Sequence, residues 1–479
     1  MASKSNILLI VLDSLRARNV DIYDYDRRTM PFLREYSAKA TLYRHARSAS
    51  IHSVASHASM WTGQSVAEHK AGSHHSFVPP DDTVWADLSD SGYQTGLFTG
   101  NVIVTKTSNL SAPFDYVVTD NYVDPSQKLF EKAFHPMQNK QKGGWLGNLK
   151  MSLADEYPIK SLANTAYHLS LKQKNRFVKN KNSRQYIQAF LRWQRKQRGP
   201  WAACINLMDT HYPYQPAPEY DQWDDGTARS IQKSIEGPMS QEFASAKHLN
   251  ELAQLSNLYD GAIREADAHV RKLIQELKKI GDHDNTLIIV TSDHGEGFGE
   301  QSLITDARMV DHSWGLHEVL THVPLVVKYP NQTEGNEIIE PVSLMAFRDT
   351  AHAVSNGDVE IDSFVQDYDV VASTNRLNQK DGIMFEASEI SPADYFGPWR
   401  AVYRFEDGIV RKYINRGNRS AIIDIPSAQK QIFNWGDDCG VVDEAFDKFV
   451  RDQEGLETPE IGKPNKAIED RLSELGYLT

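Results

Sequence analysis

Short unbroken apolar runs alternate along this chain with segments of helical period. The runs at 6–12, 94–99, 201–208, 285–291 and 323–328 read as buried strands. The clearest helix covers about 250–280, where Leu252, Leu255, Ile263, Val270, Ile274 and Leu277 recur at near-helical spacing and Gly281 supplies the stop. Strands alternating with helices predict an α/β fold built on a large, mostly parallel sheet flanked by helices. From about residue 331 the pattern changes. Trp399–Phe405 and Ile409–Ile414, joined by Glu406-Asp-Gly408, read as a hairpin, and Ser420–Ile425 adds a strand. A smaller C-terminal antiparallel sheet with a helix packed on it is expected there, ending in a charged tail at 472–478. The division predicted is a catalytic α/β domain over 1–335 and an α+β subdomain over 336–479.

One stretch departs in charge. Residues 137–200 are locally basic, with Lys140, Lys142, Lys172, Lys174, Arg176, Lys179, Lys181, Arg192, Arg195, Lys196 and Arg198. A solvated helical face is the commoner cause of such a run; a lid or wall that attracts an anion is the functional one. The 479 residues carry a net charge of −12, which gives nucleic-acid binding no support. Cys204 and Cys439 are the two cysteines, too few for a disulfide framework and in keeping with a reducing, cytoplasmic compartment. The first apolar run is too short for a signal peptide, and no run reaches the ~20 apolar residues of a membrane span.

Candidate chemistry sits where strands end. The run Thr286–Val290 leads into Thr291-Ser-Asp-His-Gly-Glu-Gly-Phe-Gly-Glu300, so Asp293 and His294 follow a buried strand. Asp13 closes the first run in the same way. Two acidic strand ends, far apart in sequence and neighbours in one sheet, point to a divalent metal in a crevice at its carboxyl edge. Ser53-Val-Ala-Ser-His-Ala-Ser-Met-Trp-Thr-Gly63 sets Ser53 just before a helix N-terminus, where free N–H groups and the dipole favour an anion. Plain N-capping would account for a serine there equally well. His211 lies in Met208-Asp-Thr-His-Tyr-Pro-Tyr-Gln-Pro216, a loop stiffened by two prolines, either as a proton donor or as a lone surface histidine. His312, His317 and His322 follow Asp311, and at least one of them is expected to be structural. Asn101, after Gly96–Gly100, is positioned to face the crevice.

Taken in order, these segments resemble the sulfatase family of the alkaline-phosphatase superfamily over nearly the whole chain. The resemblance runs through Asp13-Ser-Leu-Arg16, the Ser53–Gly63 segment, Gly92-Tyr-Gln-Thr95, His211-Tyr-Pro-Tyr214, Val323-Pro-Leu-Val and the closing Leu475-Gly-Tyr-Leu478. The Asn285–Glu296 segment is the strongest part of it. It implies that Asp13, Asp293 and His294 are metal ligands. Ser53 falls at the nucleophile, a residue that sulfatases convert to formylglycine. His57 stands where an arginine helps to hold the nucleophile and the substrate anion. His211 matches a proton-donating histidine, and His312 matches the Lys or His that contacts the ester oxygen.

Departures from the family pattern bear on the chemistry. A second aspartate after the first is here Ser14, and His294 replaces an asparagine common in sulfatases. Exchanging a carboxylate for an imidazole moves the site away from an all-oxygen Ca²⁺ cage towards Mn²⁺ or Zn²⁺, with Ca²⁺ and Mg²⁺ still open. The lysine expected near Asn101 is missing, and Ser53-Val-Ala-Ser-His57 lacks the Pro and Arg of the modification signal, which speaks against formylglycine at Ser53. The expected activity is metal-dependent hydrolysis of a small anionic ester, with a sulfuric ester first. Phosphomonoester or phosphodiester hydrolysis, or phosphoryl transfer, by unmodified Ser53 is the alternative. A non-catalytic binding protein ranks last, because a site under no chemical demand need not keep Asp13, Ser53, Asp293, His294 and His211 together.

Overall fold

The structure, a computed structural model, describes residues 4–119, 129–130, 132–134, 144–178, 183–235, 251–305, 308–375, 395–434, 436 and 440–450. Eight strands form the large sheet: β1 (Asn6–Leu12), β2 (Thr41–Arg47), β3 (Gln94–Thr99), β4 (Tyr116–Val118), β5 (Trp201–Leu207), β6 (Thr286–Thr291), β9 (Leu325–Lys328) and β10 (Asn336–Ser343). The hairpin β7 (Gly297–Gln301) and β8 (Arg308–Asp311) stands apart from it. The order across the large sheet is β10-β2-β9-β6-β1-β5-β3-β4, and β9 alone runs antiparallel to its neighbours. The other strands therefore share one carboxyl edge.

Both faces are dry, which is why the strands read as uninterrupted apolar runs. Along β1, Leu8, Ile10 and Leu12 enter one core, while Ile7, Leu9 and Val11 enter the other. The helix Leu252–Ile280 covers the first face with Leu255, Ile263, Val270 and Ile274. It stops at Gly281, whose φ of +91° is the left-handed conformation of a helix C-terminus. The helices Ser53–Thr62, Val84–Asp90 and Phe347–Asn356 cover the second face. Cys204 is buried in β5, where burial pushes its thiol pKa up; Cys439 lies outside the described residues.

The boundary expected at 335 falls just ahead of β10, which pairs in parallel with β2 and so belongs to the large sheet. As an edge strand it alternates exposed and half-buried positions, and it never formed an apolar run. The antiparallel unit starts later, with β11 (Val370–Thr374), β12 (Trp399–Glu406), β13 (Ile409–Arg416), β14 (Arg419–Ser427) and β15 (Lys430–Asn434) in that spatial order. Trp399, Ala401 and Tyr403 pack into the first core. Val371, Val402 and Tyr413 face the helix Val441–Val450 through Val442, Ala445 and Phe446. The predicted tail at 472–478 lies outside the described residues. The basic stretch is helical over Gly144–Ala154, Pro158–Val178 and Ser183–Gln194, and Arg192, Arg195, Lys196 and Arg198 are exposed, as on a solvated face.

Candidate active site

The carboxyl edge brings the candidate residues together. Asp13 directly follows β1, Asp293 and His294 follow β6, and all three are fully buried. Their ligand atoms lie within 4.8 Å of one another, a grouping able to hold a metal ion. Asp293 Oδ1 accepts N–H bonds from Ser14 at 3.3 Å and His294 at 3.1 Å, while Oδ2 has no hydrogen-bond donor. His294 Nδ1 donates to the Gly295 carbonyl at 2.9 Å, so Nε2 keeps its lone pair, 3.5 Å from Asp293 Oδ2. Two buried carboxylates, one oxygen lacking a donor, and an imidazole lone pair are what a divalent cation satisfies. Gly295 lets this turn close against its neighbour: a Cβ there would lie 1.9 Å from the Val319 carbonyl oxygen.

Ser53 is the first residue of the helix Ser53–Thr62, one position further in than expected, because extended His52 (φ −145°, ψ 156°) occupies the cap. Its Oγ lies 3.4 Å from His294 Nε2 and accepts from Asn101 Nδ2 at 3.2 Å. The same Asn101 amide donates to Asp13 Oδ2 at 2.8 Å, and its Oδ1 accepts from the Ile103 N–H, which fixes the orientation of the amide. A serine hydroxyl at a helix N-terminus beside a metal-binding group can be deprotonated and attack an electrophile.

His57 holds the other side of the group. Its Nδ1 donates to the Ser53 carbonyl at 2.8 Å, and its Nε2 lies 3.4 Å from Asn206 Nδ2, which also reaches Asp13 Oδ2 at 3.3 Å. Burial lowers its pKa, so it is a neutral bracket with both ring nitrogens engaged, unlike the cationic arginine that the resemblance led one to expect there.

His211 and His312 are buried beside the group, with ring centroids 5.3 Å apart, and His312 lies 4.4 Å from His294. His211 Nδ1 donates to the Tyr212 carbonyl at 2.6 Å, and His312 Nδ1 lies 3.3 Å from Glu296 Oε1. Tyr214 donates its hydroxyl to Glu296 Oε2 at 3.1 Å. Burial, then the charge of Asp311, push Glu296 well above the usual carboxylate range. Glu296, Asp311 and His312 form a second compact group adjoining the first. Asp209 stands outside both, bonded to Ser183 and 3.3 Å from His269 Nδ1. His317 and His322 are structural: His317 Nδ1 accepts the Val319 N–H, and His322 Nε2 donates to the Arg44 carbonyl.

Asn206 and Glu296 were missed from the sequence. An asparagine inside the otherwise apolar Trp201–Leu207 strand was the available signal for the first, and the acid two residues after His294 for the second.

Known proteins resemble this chain in sequence and in fold. An N-acetylglucosamine-6-O-sulfatase of Bacteroides thetaiotaomicron is 26% identical over 140 residues, 29% of this chain and 23% of that protein. Arylsulfatase K of Bos taurus is 23% identical over 372 residues, 71% of this chain and 60% of that one. The chain thus spans less than two thirds of the length of either relative. A phosphonate monoester hydrolase of Agrobacterium radiobacter shares the fold, with a TM-score of 0.55 at 14% identity over 88% of this chain and 89% of that one. The sequence pattern of the Sulfatase family matches residues 5–355, and with its strand-end Asp13, Asp293 and His294 gathered beside Ser53, the chain belongs to the sulfatase family.

Proposed function

We propose that this chain is a metal-dependent hydrolase of sulfuric esters with Ser53 at the point of attack. The observation that carries the reading is the convergence of Ser53 Oγ, 3.4 Å from His294 Nε2, with Asp13 and Asp293 at one buried edge of the sheet. Asp13, Asp293 and His294 would hold one divalent ion, and the imidazole favours Mn²⁺ or Zn²⁺. When bound, such an ion supplies a Lewis acid that lowers the proton affinity of a neighbouring hydroxyl and draws charge from a non-bridging ester oxygen.

The chain's own residues do the rest. Asn101 Nδ2 holds Ser53 Oγ for in-line attack, and the helix N-terminus stabilises charge growing around the reacting centre. His57 and Asn206 keep Asp13 and the Ser53 backbone in register from behind. His211, with Nε2 protonated as well as Nδ1, gives the Nε2 proton to the leaving oxygen, and His312 contacts the ester beside it with Glu296 against its Nδ1. If Ser53 is converted to formylglycine, its hydrate attacks and its second hydroxyl expels sulfate.

A second reading is favoured by one specific observation. Ser53-Val-Ala-Ser-His57 lacks the Pro and Arg of the modification signal. An unmodified serine would form a phospho-serine that hydrolyses more easily than a sulfo-serine, so phosphate-ester cleavage follows if Ser53 stays unmodified.

Turnover of matched aryl sulfate, phosphate monoester and phosphodiester substrates tests both readings, with wild type and Ser53→Ala compared after chelation and refilling. Peptide mass mapping of residue 53 accompanies it. Sulfate cleavage that depends on Ser53 is the expected result; Ser53-dependent phosphate cleavage with an unmodified serine selects the second reading. Activity that survives Ser53→Ala sinks the nucleophile assignment.

A further inference from the structure

Ser14 is a serine in a glycine's conformation. Its φ is +63°, in the left-handed region, which costs strain for a residue with a Cβ. It directly follows Asp13 and is fully buried. In this conformation its N–H points from the end of β1 to the neighbouring β6 and donates to Asp293 Oδ1 at 3.3 Å. Its Oγ donates to Asp13 Oδ1 at 3.3 Å. One strained residue thus touches both carboxylates of the metal-binding group. Such strain persists only where the surroundings over-determine it.

The peptide that follows Ser14 is bonded at both ends. Leu15 N–H donates to Ser292 Oγ at 2.8 Å, and the Ser14 carbonyl accepts the Tyr259 hydroxyl at 2.7 Å. The same hydroxyl accepts the Arg16 N–H at 3.0 Å, so one oxygen grips the chain on both sides of Leu15. Tyr259 comes from the long helix Leu252–Ile280, 245 residues away in sequence. Its ring packs on Phe298 and Tyr214, with centroids 5.1 and 5.2 Å apart, and that packing alone would need no hydroxyl. We propose that Tyr259 is a positioning residue, whose hydroxyl holds Ser14 in the left-handed conformation that keeps Asp13 and Asp293 together as one ligand set. The proposal rests on the reading of Asp13, Asp293 and His294 as metal ligands. Without the hydroxyl, the Ser14 carbonyl is a buried acceptor with no donor among the described residues. The turn then relaxes towards negative φ, and its N–H leaves Asp293.

Calorimetric titration of the chelated full chain with Mn²⁺ or Zn²⁺, with no substrate present, is the test. It is run as a double-mutant cycle of Tyr259→Phe with Ser14→Gly. Phenylalanine keeps the packed ring, and glycine takes the left-handed conformation without strain. Ser14→Asn, which also tolerates that region, serves as a second relaxed background. Tyr259→Phe should weaken metal binding about tenfold in the protein that keeps Ser14, and less than about twofold in either relaxed background. An equal loss in all three backgrounds would assign Tyr259 to general packing and overturn the proposal. So would a Tyr259→Phe protein that binds metal like wild type. A wild type that binds neither ion would overturn the ligand assignment itself, and the proposal with it.

Discussion

His317 caps the short helix Glu318–Thr321 by accepting the Val319 N–H through Nδ1 at 3.2 Å, a role open only to a neutral ring. Burial first, then Lys412, hold its pKa down to about 4 although Glu300 and Glu318 pull it up. The unfolded chain therefore binds a proton here that the folded chain refuses, so this contribution is complete above the unfolded value of about 6.5 and is lost as pH falls towards 4. His317→Asn keeps a capping oxygen and removes the titration. Wild type should lose about 2 kcal/mol relative to this variant between roughly pH 6.5 and 5, read by urea denaturation at each pH. Parallel pH profiles would show that the ring is not held neutral. At the reaction centre, His211→Ala should lower kcat by about 10²–10⁴ for esters with poor leaving groups and far less for activated aryl esters. An equal loss on both would assign His211 to positioning. Asp13 and Asp293 could be read from sequence because a carboxylate ending an apolar strand has few bland explanations. His57 shows the limit: its place in the Ser53 segment was legible, but its contact with Asn206 depends on β5, which lies about 150 residues away in sequence.

At the scale of elements, the small antiparallel sheet reaches the site through one buried charge network. Arg47 at the end of β2 lies 2.8 Å from Glu318, Lys412 of β13 lies 3.0 Å from it, and Tyr403 of β12 stacks under both cations. The pair of cations holds the Glu318 carboxyl far below its usual range, against the desolvation that raises it. Glu318→Ala would leave Arg47 and Lys412 charged and unmatched in a dry interface, a change that should cost about 3–5 kcal/mol in thermal or urea unfolding. A loss under ~1 kcal/mol would mean that water enters the interface. The strands were legible because burial on both faces leaves a continuous apolar run, and the long helix because its period and its glycine stop agree. β10 was assigned across the boundary because a half-wet edge strand carries no such run. The network was hidden for another reason: the sequence shows an Arg, a Glu and a Lys, and nothing local says that a short helix and two sheets will dry them together.

Across the whole molecule, the site exists only once the sheet has closed. Asp13, Asn101, Asn206 and Asp293 arrive from four strand ends or interiors and Ser53 from a helix N-terminus, and β1 lies between β5 and β6 to bring the two carboxylates side by side. That order is the crevice rule for parallel sheets, and it let a strand-end reading bring Asp13, Asp293 and His294 to one place. The same assembly makes the group a point of tension while no cation is bound: Asp13 and Asp293 are both fully buried, and Asp293 Oδ2 receives no hydrogen bond. A divalent ion held there would tie β1 to β6, and its binding free energy would add to folding stability. Chelated protein should therefore melt several degrees lower than protein refilled with Mn²⁺ or Zn²⁺, since a ligand at ~100 times its Kd adds about 2.7 kcal/mol. Asp293→Asn should abolish most of that difference. His211→Ala should retain it, because His211 lies beside the group and outside the ligand set, which separates loss of metal from loss of chemistry. A melting temperature indifferent to chelation and to each ion added back would remove the metal from this edge of the sheet, and with it the activation of Ser53.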